Sequence, residues 1–206
     1  MSDLALAAFA AATGGHVVVE PRERRFRRFL RSFDAEAYGA KLAAEGLRFV
    51  GRGESGYPPL LRELHDPPPG LFLRGCGEVE LLHRRAVAVV GARACSSYGS
   101  QVARILAREL AGAGAVVISG LARGVDGEAH RGALESGGTT VAVLGCGIDR
   151  DYPAAHSQLA ARICEGGLVV SEYAPGVEPA PWRFPAQTAG VRSDAGLAQP
   201  CVSSLP

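Results

Sequence analysis

Four short segments carry residue types that could hold an anion: Gly91-Ala-Arg93, Ser119-Gly120-Leu-Ala-Arg123-Gly124, Gly145-Cys-Gly147 and Ser171-Glu172. Each follows an apolar run. Glycine lets a backbone approach a phosphate closely, a following helix N-terminus offers free N–H groups at its positive dipole end, and arginine makes planar, bidentate contacts with phosphate oxygens. The pattern predicts an anionic ligand bound by Gly91, Arg93, Ser119, Gly120, Arg123, Gly124, Gly145 and Gly147. Tight strand-to-helix turns with no ligand are the competing reading of the same glycines.

Nearby groups invite catalytic readings and support them poorly. Asp126 and His130 stand at i, i+4 and could form an acid–base pair, but a charge-supported hydrogen bond along one helix is the simpler expectation. Cys95 and Cys146 fall in the same loops, where a helix N-terminus lowers a thiol pKa, yet no histidine lies close in sequence to activate either. The stretch 91–99 does not match G-x-G-x-x-G because position 93 is Arg, and Gly145-Cys-Gly147 lacks the third glycine at position 150. A G-x-x-x-x-G-K-[ST] run is also missing, so neither a dinucleotide fingerprint nor an ordinary NTPase is expected.

The elements that must position these segments alternate regularly. Residues 86–90, 115–118, 139–144 and 168–170 are apolar and stop at glycine or serine, while 99–112, 125–135 and 156–164 carry apolar residues at helical spacing. Buried parallel strands joined by helices give an α/β fold: a Rossmann-like parallel sheet with helices on both faces, ligands binding at the carboxyl ends of the strands. Residues 57–75 lead into it, with Pro58 and Pro59 opening a helical turn, an extended run at 67–69 and an edge strand at 71–73. Residues 1–56 read as a mostly helical N-terminal appendage, 57–185 as the Rossmann-like domain, and 186–206 as an irregular tail.

Composition bounds the rest. The 206 residues include 27 Gly and 13 Pro, and 22 cations against 21 carboxylates leave a net charge of +1, so any basic surface is local. One such surface is the stretch 21–31, which has six Arg and one Glu and reads either as a nucleic-acid or membrane-surface helix or as the solvated face of a packed one. Five widely spaced cysteines without a C-x-x-C pair argue against a disulfide framework or a structural metal site and for a cytoplasmic setting. No run is long enough to span a membrane, and the apolar stretch 4–12 reads as an Ala-rich helix in preference to a signal segment.

Taken in order, Gly91-Ala-Arg-Ala-Cys-Ser-Ser-Tyr-Gly99, Ser119-Gly-Leu-Ala-Arg-Gly-Val-Asp-Gly-Glu-Ala-His130, Thr140-Val-Ala-Val-Leu-Gly-Cys-Gly-Ile-Asp149 with Tyr152-Pro153, Ser171-Glu-Tyr-Ala-Pro-Gly176 and Phe184-Pro185 resemble the DprA/Smf family of DNA-processing proteins over residues 57–185. The resemblance implies a non-catalytic protein, with no cofactor, that binds single-stranded DNA, protects incoming strands during natural transformation and helps load RecA recombinase. It makes Arg93 the principal phosphate-binding arginine, with Gly91, Ser119, Gly120, Gly124 and Gly147 shaping the pocket and Asp126, His130, Tyr152, Pro153, Ser171 and Glu172 as structural or peripheral members of the motifs. The chain departs from the family pattern at Ala154 and Ala155, where a cation is common, and again after Ala186, where the resemblance is lost. That loss reads as truncation or a frameshift, leaving one sheet edge open, dimerisation weakened and the RecA contact in doubt. The rival class is a nucleotide-processing enzyme similar to the lysine-decarboxylase-like phosphoribohydrolases, whose Pro-Gly-Gly-x-Gly-Thr run has no counterpart in this sequence.

Overall fold

A computed structural model describes residues 2–14 and 24–180. The tail 186–206 and the pair Phe184-Pro185 lie outside the described residues. The N-terminal stretch forms three helices, α1 (Asp3–Thr13), α2 (Arg24–Leu30) and α3 (Ala35–Ala44). Ser2 and Asp34 cap the first and third, accepting from the backbone N–H of Ala5 and Ala37. A strand follows, β1 (Leu47–Gly51), then α4 (Pro59–Arg62), β2 (Gly70–Arg74) and a 3-10 turn at Val79–His83. The alternating region comprises β3 (Ala86–Ala88), α5 (Ser97–Gly112), β4 (Val116–Ser119), α6 (Val125–Glu135), β5 (Thr140–Leu144), α7 (Ser157–Gly166) and β6 (Leu168–Ser171).

These strands make one six-stranded mixed sheet in the order β1-β2-β6-β5-β4-β3. The four strands read as parallel pair in parallel, in chain order, from β3 to β6. The N-terminal region is not a separate layer, because β1 pairs antiparallel with β2 and β2 pairs antiparallel with β6. This corrects two expectations. Residues 47–51 form a strand within the stretch read as a mostly helical appendage, and β2 is an interior strand instead of an edge. The physical reason is burial: Phe72 and Leu73 of β2 are fully enclosed, so both sides of that strand need a partner.

Helical elements cover both faces of the sheet, unequally. Successive parallel strands that step in one direction with right-handed crossovers place their helices on one face. Accordingly Val117, Ala142 and Val169 meet α5, α6 and α7, together with Ala7 of α1 and Leu42 of α3. The opposite face, with Val116, Ile118, Val141 and Leu168, is closed by Tyr57, Leu61 of α4, and Leu81 and Leu82 of the 3-10 turn. Tyr57 is fully buried and its hydroxyl donates to the Pro68 carbonyl at 2.9 Å, which ties the proline run to the core.

Candidate nucleic-acid interface

The four strand ends are not equivalent. At the ends of β5 and β6 the chain closes over itself. Gly145, Cys146 and Gly147 are buried, and Gly147 donates to the Val177 carbonyl at 2.8 Å. A Cβ on Gly147 would stand 2.9 Å from the Ala174 carbonyl oxygen, so this glycine serves a contact within the chain. The Ser171 hydroxyl donates to the Cys146 carbonyl at 2.6 Å and accepts from the Tyr173 N–H at 3.0 Å, while Glu172 is half-buried beside it. Tyr152 and Pro153, joined by a cis peptide, lead from this end toward α7, with Tyr152 exposed.

The ends of β3 and β4 are open. Gly91, Ala92, Arg93 and Ala94 are exposed in the loop before α5, which Ser96 caps by accepting from Gly99 N–H at 3.1 Å. Arg123 is exposed in the loop before α6. Gly124 joins the two loops: its φ of +76° is a glycine conformation, and a Cβ there would stand 2.2 Å from the Ala92 carbonyl oxygen and 2.7 Å from that of Arg93. Val125 N–H then donates to the Ala92 carbonyl at 3.2 Å. The backbones that carry Arg93 and Arg123 therefore abut.

Asp126 organises this junction. Its carboxylate accepts from Gly91 N–H at 3.3 Å, and the backbone N–H groups of Ala122 and Gly120 also bond to it. Burial raises its pKa above the ordinary carboxylate value, an effect that these N–H groups and the Arg93 guanidinium oppose. The Gly91 and Gly120 N–H groups, expected to cradle a phosphate, are thus engaged by an internal carboxylate. An external anion is left the arginine side chains and the outer loop.

Asp126 and His130 do not pair, contrary to expectation. His130 is fully buried and its Nδ1 lies 2.7 Å from Thr140 Oγ1, which in turn donates to the Val117 carbonyl at 2.7 Å. Burial above all, then the facing His156 and Arg131, lower its pKa from 6.5 to about 3, so the ring is neutral at physiological pH. Ser119, counted among the ligand-facing residues, is buried, and its hydroxyl donates to the Val89 carbonyl at 2.6 Å, linking β4 to the end of β3. Sequence reasoning missed His156, whose Nδ1 bonds the Leu121 carbonyl at 2.8 Å and holds Leu121 at a φ of +58° in the β4–α6 loop. A single sequence carries no signal for a contact across 35 residues.

The family model for DNA recombination-mediator protein A matches residues 48–199, a span wider at both ends than 57–185. The chain belongs to this family. Protein Smf of Escherichia coli (strain K12) is 45% identical over 130 residues, covering 63% of this chain and 34% of that protein. DNA processing protein DprA of Streptococcus pneumoniae R6 is 44% identical over 145 residues, covering 68% and 48%. The chain thus spans between a third and a half of these two relatives. The X-ray structure of the pneumococcal family member superposes with a TM-score of 0.71 at 34% identity, over 92% of this chain and 63% of that one. DNA processing protein A from Helicobacter pylori, whose structure is described for its single-stranded DNA binding mode, gives a TM-score of 0.63 at 31% identity, over 74% and 67%.

Proposed function

We propose that this chain binds single-stranded DNA through its phosphate backbone at the β3 and β4 ends, and that it does so without catalysing a reaction. The observation that carries the reading is the junction of two loops, closed by Gly124 against Ala92 and Arg93, from which Arg93 and Arg123 stand exposed. Arginine contacts to phosphate oxygens are independent of sequence, as a strand-protecting protein requires. The Helicobacter relative, described for single-stranded DNA binding, lends the ligand class. What supports the non-catalytic part is that buried polar groups near the strand ends are taken up within the chain: the Ser119 and Ser171 hydroxyls donate to carbonyls, and His130 faces Thr140 as a neutral ring. Within the family reading the chain acts in the cytoplasm during natural transformation, protecting incoming strands and helping to load RecA recombinase. Among the described residues no helix is long and apolar enough to cross a membrane.

The test is a fluorescence-anisotropy salt titration with a labelled oligothymidine. Arg93→Ala and Arg123→Ala should each weaken binding and lower the slope of log K against log salt by about 0.7, the value of one phosphate neutralised on a single strand. Wild-type affinity and slope in both variants would overturn the assignment.

A further inference from the structure

Arg24, Arg25, Arg27, Arg28 and Arg31 are all exposed on α2 or just beyond it. Residues 24–31 contain no carboxylate; Glu23 directly precedes them in sequence, and the first acid after them, Asp34, accepts from Ala37 N–H at 2.9 Å as the cap of α3. In a chain with a net charge of only +1, this concentration of positive charge is a local field that the total conceals.

The opposite side of α2 explains why the arginines point outward. Phe26 is fully buried, and Phe29 and Leu30 pack with it against Ala5, Leu6 and Phe9 of α1. The Phe9 ring lies 5.3 Å from that of Phe26 and 5.4 Å from that of Phe29, both tilted. Helix α1 is itself anchored, since Ala7 sits in the cluster with Leu42, Phe72 and Leu159. The arginines are therefore displayed from a platform that is already packed.

We propose that α2 is a second surface for single-stranded nucleic acid, contacting phosphates independently of the β3 and β4 loops. It shares its ligand class with the reading above and none of its residues. Helix α1, which carries α2, packs on β1 and β2, the edge of the sheet opposite β3. At about 4.8 Å per strand, five strand spacings separate the two edges by roughly 24 Å. A single strand engaging both surfaces crosses the molecule. A membrane surface is the poorer partner, because an interfacial helix turns its apolar residues toward the lipid, and here those residues face α1. Arginine, with its planar fork, suits phosphate oxygens better than lysine.

The experiment compares the full chain with the triple variant Arg24→Gln, Arg25→Gln, Arg28→Gln and with the same three positions changed to Lys. Each protein is titrated against a labelled oligothymidine long enough to cross the sheet, over a salt series, with a thermal melt as control. The Gln triple should keep the wild-type melt and bind about tenfold or more weakly at low salt. Its slope should fall by about 0.7 for every phosphate it no longer neutralises, while the Lys triple keeps most of the slope. Wild-type affinity and slope in the Gln triple would overturn the proposal, as would loss of binding to phosphatidylserine vesicles with DNA binding unchanged. If Arg93→Ala and Arg123→Ala bind normally while the Gln triple does not, the strand-end reading fails and this one stands.

Discussion

Gly124 lies so close to Ala92 that a Cβ would come within 2.2 Å of the Ala92 carbonyl oxygen. This approach makes the loop after β3 and the loop after β4 a single surface, and it tolerates no side chain. Its positive φ excludes other residues on separate grounds.

Gly124→Ala should therefore destabilise by more than the ~1–3 kcal/mol of unfavourable backbone conformation alone, since the obstructing atoms are backbone. Gly137→Ala is the control: its φ is +70° but nothing lies within 4 Å of the added Cβ. Urea denaturation of both variants checks the difference, and equal destabilisation would mean that the loops part without cost.

Ser119→Ala removes a buried hydroxyl that donates to the Val89 carbonyl at 2.6 Å. Stability should fall by about 1 kcal/mol. The salt slope of oligothymidine binding should stay at its wild-type value, because the hydroxyl faces a carbonyl in the chain. A flatter slope in this variant would restore Ser119 to the ligand-binding residues.

Asp126→Asn replaces an acceptor-only carboxylate with an amide whose NH2 cannot accept. Three backbone N–H groups, those of Gly91, Ala122 and Gly120, converge on that carboxylate. Each donor left unsatisfied costs about 1–3 kcal/mol. The variant should melt lower and exchange the Gly91 amide faster in hydrogen-exchange measurements, with unchanged protection counting against the clamp.

The pH dependence of stability should carry the mark of His130. Its folded pKa of about 3 lies below the ordinary 6.5, so the unfolded chain takes up the proton first as pH falls. The stabilising contribution of the neutral ring is complete above pH 6.5 and is lost progressively toward pH 3. Each pH unit in that window costs on the order of 1.4 kcal/mol. Denaturation of wild type and His130→Asn at several pH values reads this directly: the variant should show a shallower decline on acidification, and parallel curves would reject the assignment.

The placement of Arg93 and Arg123 at strand ends was legible in the sequence. Arg93 and Arg123 stand where an apolar run gives way to glycine and a helix begins, and the structure leaves both exposed there. The basic stretch at 21–31 was ambiguous, and the burial of Phe26 against Phe9 shows that its apolar side is packed. The strand at 47–51 was invisible, because Leu-Arg-Phe-Val-Gly is too short to carry a period of its own and becomes a strand by pairing with β2.

The alternation of strands and helices, the glycines and arginines at the strand ends, and the resemblance carried by the ordered motifs can all be read along the chain. Those features are local, set by hydrophobic periods and turn residues a few positions apart. Folding in three dimensions sets which strand ends stay open, brings Asp126 to the N–H groups of Gly91 and Gly120, and turns His130 to Thr140 instead of Asp126. These outcomes depend on which backbones the crossovers bring together. A buried polar group bonds whatever partner the packing presents, and no spacing along the chain encodes a pairing such as that between Gly91 and Asp126, 35 residues apart.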